Sequence, residues 1–165
     1  MDEKSDYEDN IALACIATTS IFGLISNGLA LYMTRKMPRF CNAFGILCSS
    51  FLICNLQSII VLFTWSTIVL IAKNPLLSSS ELFLARLAGV FVNGGWFGSL
   101  FVHSFITLNR LYAIVYPMKY KKLWSKAKAP TIGIISWTLG MTVCLIHLFS
   151  KHIRIKKIVP LLCIK

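Results

Sequence analysis

The chain has 165 residues, of which 56% are hydrophobic and 14% charged, with a mean hydropathy of +0.72 and a formal net charge of +11. So much apolar surface exceeds what a soluble domain of this size carries, and the fold expected is all-α and polytopic, with the lipid bilayer as its surroundings. The basic residues stand between apolar runs rather than along one polar face, which argues against a nucleic-acid partner, and Asp2, Glu3, Asp6, Glu8, Asp9 and Glu81 leave no paired carboxylates for acid–base catalysis, so no enzyme is expected.

Residues 1–10 are acidic and polar and lack the positively charged start of a cleavable signal peptide, so they are expected to remain as the N-terminus. Residues 11–33 carry no charge and, at 1.5 Å per residue, suffice to cross a hydrocarbon core of about 30 Å. Within this first helix lies Ser26-Asn27-Gly28. An asparagine there needs a partner, because no water reaches it, and Asn27 is expected to face another helix; a bond back to its own helix is the alternative.

Arg35, Lys36, Pro38 and Arg39 make a basic turn before the second helix, expected over 42–72. It contains Asn55 and Gln57, and Gly45, Ser49 and Ser50 offer a strip for close packing. Lys73-Asn74-Pro75 ends it, since proline has no N–H to donate and restricts the residue before it. The third helix is expected over 81–116 with Ser80 as its N-cap. Gly94 and Gly98, four apart, allow another backbone to come close, which suits a central helix. Near its end stands Arg110, whose guanidinium either snorkels to the membrane boundary or faces a cavity in the protein.

A loop with Lys119, Lys121, Lys122, Lys126 and Lys128 follows, with Trp124 as an interfacial ring. Pro130 opens the fourth helix, expected over 130–149 and containing Trp137, and 151–165 form a basic tail. Residues 11–150 are thus expected to be one transmembrane domain of four helices.

With the N-terminus outside, Arg35, Lys36, Arg39, Arg110 and the loop lysines fall inside, against only Lys4, Lys73 and Arg86 outside before the tail. The tail goes against this bias after four crossings. Either the fourth span inserts poorly or this tail is not the usual sequel to such a helix. The six cysteines include no CxxC pair, and His103, His147 and His152 lack metal-ligand spacing, so neither a metal nor a cofactor is expected.

In this order, the signals resemble the first four helices of a rhodopsin-like seven-helix G-protein-coupled receptor. Asn27-Gly28 resembles the first-helix asparagine motif, and Asn55 lies where the second-helix acidic residue falls. Asn109-Arg110-Leu111 resembles the aspartate-arginine-tyrosine signature, and Trp137 matches the fourth-helix tryptophan. The wording is most similar to the nematode serpentine chemoreceptors of class x. Asn42-Ala43-Phe44-Gly45-Ile46-Leu47-Cys48 carries that likeness, together with Leu108 to Ile114 leading into Pro117 and Tyr120.

The resemblance implies a plasma-membrane chemoreceptor with an extracellular N-terminus, a small chemical ligand and a heterotrimeric G protein. Asn109, Arg110 and Leu111 would form the coupling motif, with Pro117 and Tyr120 in the adjoining inner loop. Asn93, Trp96 and Leu100 share one face in the outer half of the third helix and are candidate ligand contacts. The alternative is that Asn93 only bonds a neighbouring helix and Trp96 only packs. Asn27, Asn55 and Trp137 are candidates for interhelical polar contacts.

Two departures bear on mechanism. Asn109 replaces the carboxylate that ordinarily pairs with the arginine, so an ionic lock would be weaker, and 81–90 contain no cysteine for the usual outer disulfide, leaving Cys163 a free thiol. A family receptor has three more helices, so the expected product is a truncated receptor. The alternatives are a four-helix membrane protein that associates with a full-length receptor homologue, or a non-functional fragment. A small transporter or channel subunit ranks last, for want of a carboxylate along a path through the spans.

Overall fold

The computed structural model describes residues 3–72 and 82–162. The helix stop at Lys73-Asn74-Pro75, the Ser80 cap and Cys163 lie outside the described residues. Within them the chain is helical, with no strand. It forms α1 (Glu3–Lys36), a 3-10 turn (Pro38–Phe40), α2 (Ala43–Ala72), α3 (Phe83–Val115), α4 (Pro117–Leu123) and α5 (Lys128–Leu162).

The helices outrun the uncharged segments. α1 begins at Glu3 rather than Ile11, so the acidic head is part of the helix, and α5 runs on to Leu162, well into the basic tail. Charge marks where hydrocarbon would end, whereas a helix ends only where its backbone hydrogen bonds are taken over by another partner. That handover is visible between α1 and α2. Met37 is extended (φ −78°, ψ 126°) and Pro38 opens the 3-10 turn. Asn42 then caps α2, its Oδ1 accepting from the Gly45 N–H at 2.9 Å while its Nδ2 donates to the Arg39 carbonyl at 3.2 Å. Likewise Tyr116 (φ −131°, ψ 61°) breaks away from α3, and Pro117 occupies the first turn of α4, where its missing N–H costs nothing.

Several hydroxyls inside the helices bond back to their own backbone. Thr18, Thr19 and Thr34 of α1 donate to the carbonyls of Ala14, Cys15 and Ala30 at 2.7–2.8 Å, which satisfies them without water. Phe22, Ile25 and Leu29 project from the same helix at three-to-four spacing and stay exposed, as a lipid-facing stripe would.

Three helical segments are long and apolar enough to cross a membrane: Asn10–Lys36, Ala43–Ala72 and Lys128–Phe149. α3 has the length but is diluted by Asn93, Gly94, Gly95, Gly98, Ser99, His103 and Ser104. Its position in the bundle accounts for that composition. α3 packs between α2 and α5, and α1 packs on α2.

Glycines make the central packing possible. A Cβ on Gly140 of α5 would lie 2.5 Å from the Gly98 nitrogen and 2.6 Å from the Gly94 carbonyl oxygen, so the backbones of α3 and α5 touch there. On the other side of α3, a Cβ on Gly95 would meet the Ser58 hydroxyl and come within 3.0 Å of the Cys54 carbonyl oxygen. Lipid is as apolar as a protein core, so this closeness contributes through dispersion and hydrogen bonding rather than through exclusion of water.

A buried apolar cluster lies toward the basic end of the bundle. There Ala43, Leu47, Val102, Ile106 and Ala129 are buried against one another, with Phe44 and Trp124 packed on them.

Candidate functional site

Asn109 and Arg110 end up in opposite environments although they are neighbours in sequence. Asn109 is only 1% exposed, and its Oδ1 accepts a hydrogen bond from the Tyr120 hydroxyl at 3.3 Å, while its Nδ2 has no partner. α4 makes this contact possible, because Pro117 turns the chain and Tyr120 follows within the same helical turn. Arg110 is exposed, and its guanidinium carbon lies 4.8 Å from the centroid of the Phe44 ring on α2. Leu111 and Pro117 are exposed beside it. Tyr120 therefore joins the coupling candidates through Asn109, whereas Arg110 is held from another helix.

Other cations at this end rest on rings too. Lys36 Nζ lies 5.2 Å from the Tyr32 centroid and donates to its hydroxyl at 2.7 Å, and Lys119 Nζ lies 5.8 Å from the Tyr116 centroid. The carboxylates of the chain precede α1's span or immediately precede α3, at the opposite end of both helices. Aromatic faces supply the negative potential that acids would otherwise provide.

Farther along α3, a polar clamp fixes three helices. The Trp137 Nε1–H of α5 donates to Gln57 Oε1 of α2 at 2.7 Å, and Gln57 Nε2 donates to the Phe91 carbonyl of α3 at 3.2 Å. The Ser58 hydroxyl contacts the Val92 carbonyl at 3.0 Å. Gly95 is what lets Gln57 and Ser58 reach carbonyls already engaged in the helix, each of which has a second lone pair. Of the three expected interhelical residues, Trp137 thus bridges helices, but to Gln57 rather than to Asn55, which is half-buried two residues earlier.

Asn27 is half-buried and makes its hydrogen bond within its own helix. Its Nδ2 donates at 2.8 Å to the Gly23 carbonyl of α1, the alternative considered from sequence. One turn earlier on this face, Gly23 meets the apolar side chain of Ile59 on α2.

Asn93, Trp96 and Leu100 are exposed, on the side of α3 turned away from α2 and α5, and Asn93 Nδ2 donates to the Gly89 carbonyl of its own helix at 2.9 Å. His103, Ser104 and Thr107 continue this exposed stripe toward Arg110, with the His103 ring 5.7 Å from that of Phe51 on α2. The roles of Phe44 and Ser58 escaped the sequence reading, which places Gln57 within the second helix without a partner. An amide in an apolar run signals Gln57, but nothing in the spacing singles out Phe44 from the other phenylalanines.

Among the described residues no group of three or more histidine, cysteine or acidic side chains could hold a metal. The family model described as serpentine type 7TM GPCR chemoreceptor Srx matches residues 18–153, a stretch that includes the clamp, the glycine contacts and the Asn109-Arg110 end. A search of curated proteins returns no match.

Proposed function

Since the chain belongs to the Srx family of serpentine 7TM GPCR chemoreceptors, a membrane receptor family and not an enzyme family, we propose that it takes part in chemosensory signalling. A small molecule meets α3 at Asn93, Trp96 and Leu100, and a heterotrimeric G protein is engaged at Asn109, Arg110 and Leu111, with Pro117 and Tyr120 beside them. α1, α2, α3 and α5 each cross the plasma membrane, with the N-terminus outside. Charge supports this orientation, because Arg35, Lys36, Arg39, Arg110 and Lys119 then lie on the cytoplasmic side.

The observation that carries the reading is that one helix holds both ends. Asn93 and Arg110 are 17 positions apart on α3, about 25 Å at 1.5 Å per residue. Both are exposed, while the helix between them is clasped at backbone distance by α5, and just before Asn93 it is hydrogen-bonded to α2. A ligand that favours one tilt of α3 would shift the population of arrangements at Arg110. Closing a ligand cavity and a coupling cleft around α3 calls for the remaining helices of a seven-helix plan.

The exposed stripe of α3 also favours a second reading. Asn93, Ser104 and Thr107 bond back to their own helix, but the exposed His103 ring sits poorly against lipid, and cover by a full-length receptor homologue would shield it.

One experiment separates the two. The full-length transcript is sequenced, its product is reconstituted in nanodiscs with a heterotrimeric G protein, and nucleotide exchange is followed against a panel of water-soluble and volatile small molecules. The receptor reading expects at least one compound to raise exchange, with the response lost in Trp96→Ala and in Arg110→Ala. Exchange indifferent to every compound and to both substitutions refutes it. Co-purification with a full-length relative would then support the partner reading.

A further inference from the structure

We propose that Phe44 is the positioning residue of Arg110, an aromatic ring in the place of the missing carboxylate. The inference deepens the coupling role given to Arg110 above, and its signalling consequence rests on that role.

The argument starts with charge. From Asn10 to Ser80 and from Leu82 to the last residue the chain contains no acid, so nothing there can form an ion pair with Arg110 through its own carboxylate. The residue before it is the neutral Asn109, and the Asn109 oxygen is turned to Tyr120. A guanidinium left to water alone would wander over its rotamers. Instead it lies over the face of Phe44 at 4.8 Å, within the range in which the ring quadrupole attracts a cation. A planar guanidinium suits such a seat better than an ammonium, because it can stack.

The ring is itself held in place. Phe44 belongs to the first turn of α2, whose start is fixed by the two side-chain bonds of Asn42. The residue after it is Gly45, where any Cβ would strike the Phe40 carbonyl, so glycine lets the preceding 3-10 turn fold onto α2. That fold brings the Phe40 ring to 6.4 Å from Phe44 at an interplanar angle of 27°. Ala43 and Leu47 anchor the same turn in the buried cluster. Phe44 is therefore a supported platform and Arg110 the mobile group resting on it. The equivalent seats of Lys36 on Tyr32 and Lys119 on Tyr116 show the same substitution of rings for acids at this end of the bundle.

The test reads the guanidinium directly, on the full chain in nanodiscs with isotope-labelled arginine. The Arg110 Nε–Hε resonance, assigned by its loss in Arg110→Lys, should lie upfield of those of Arg35 and Arg39, because the group sits over a ring face. In Phe44→Leu it should move into the range of the others, while Phe44→Tyr and Phe44→Trp keep it shifted. Unaltered signals from the other arginines show that the fold is intact. An Arg110 resonance that stays where it was in Phe44→Leu overturns the proposal.

Basal nucleotide exchange with a heterotrimeric G protein is measured on the same samples. A severalfold rise in Phe44→Leu, restored by Phe44→Tyr, supports positioning and coupling together. A lost ring shift with exchange at background in wild type, Phe44→Leu and Arg110→Ala alike upholds the positioning and refutes the coupling role.

Discussion

Gly140→Ala tests the packing at the centre of the bundle with a single methyl group. The added Cβ would lie 2.5 Å from the Gly98 nitrogen, 2.6 Å from the Gly94 carbonyl oxygen and 3.0 Å from the Gly98 Cα. Unstrained contacts need about 3.5 Å, so α3 and α5 must separate by roughly 1 Å. Every atom struck is backbone, so no side chain can swing away, and the cost belongs at the upper end of the range for overpacking, about 3 kcal/mol. Alanine returns roughly 1 kcal/mol through its better helix propensity, which leaves a net loss of about 2 kcal/mol. At roughly 2–4 °C per kcal/mol for a chain of this length, the thermal midpoint should fall by about 4–8 °C. Gly28→Ala is the control, because nothing lies within 4 Å of its Cβ. There the propensity gain acts alone, about 1 kcal/mol, and the midpoint should rise. Circular dichroism of the full chain in neutral detergent micelles reads both. Opposite signs are the signature of the backbone contact, and midpoints that move together would refute the reasoning.

Three further experiments probe the polar contacts. Tyr120→Phe leaves Asn109 buried with both ends of its amide unsatisfied and should lower stability by about 1 kcal/mol, the low end of the range because the lost bond is 3.3 Å long; Asn109→Leu added to it should recover the loss, as read by the unfolding midpoint in mixed detergent. A double-mutant cycle of Gln57→Leu with Trp137→Phe should give a coupling of about 1 kcal/mol, between the average of roughly 0.6 and the maximum of roughly 1.7 measured for hydrogen bonds in membrane helices, and a value near zero would show the 2.7 Å contact to be incidental. Asn42→Ala should cost about 1 kcal/mol and speed amide exchange at Phe44, Gly45 and Ile46, whereas Asn42→Asp keeps the acceptor and should leave that exchange slow.

The sequence displays what a bilayer demands of a chain, and less of what the helices demand of one another. Long uncharged runs reveal that the molecule is helical and apolar, because lipid tolerates no unpaired backbone over such lengths. The start of the first helix and the end of the last are hidden, since Glu3 and the basic residues from Lys151 to Lys157 join helices without interrupting their hydrogen bonds. The glycines at 94 and 98 announce a close approach, yet only the packing identifies Gly140 as the group that fills it. Among the polar residues the period of the helix fixes which face each occupies, but not which face meets which. That is why Asn55 and Gln57 look equivalent in sequence and only Gln57 meets Trp137, and why the bond of Asn27 to its own backbone could not be told from an interhelical one.

The acidic residues offer the clearest case of a signal whose structural meaning lies elsewhere than first read. Their confinement to the head and to Glu81 argues at once against acid–base catalysis. The same confinement means that the many cations at the other end are not neutralised by acids of this chain. Aromatic rings are one source of negative potential left to them, and Tyr32, Phe44 and Tyr116 each carry a cation. A basic, acid-free membrane edge with regularly placed aromatics is therefore a pattern that can be sought in sequence: an aromatic one turn before a cation in the same helix, as at Tyr32 and Lys36, is visible directly, whereas the pairing of Phe44 with Arg110 requires the fold to bring α2 against α3.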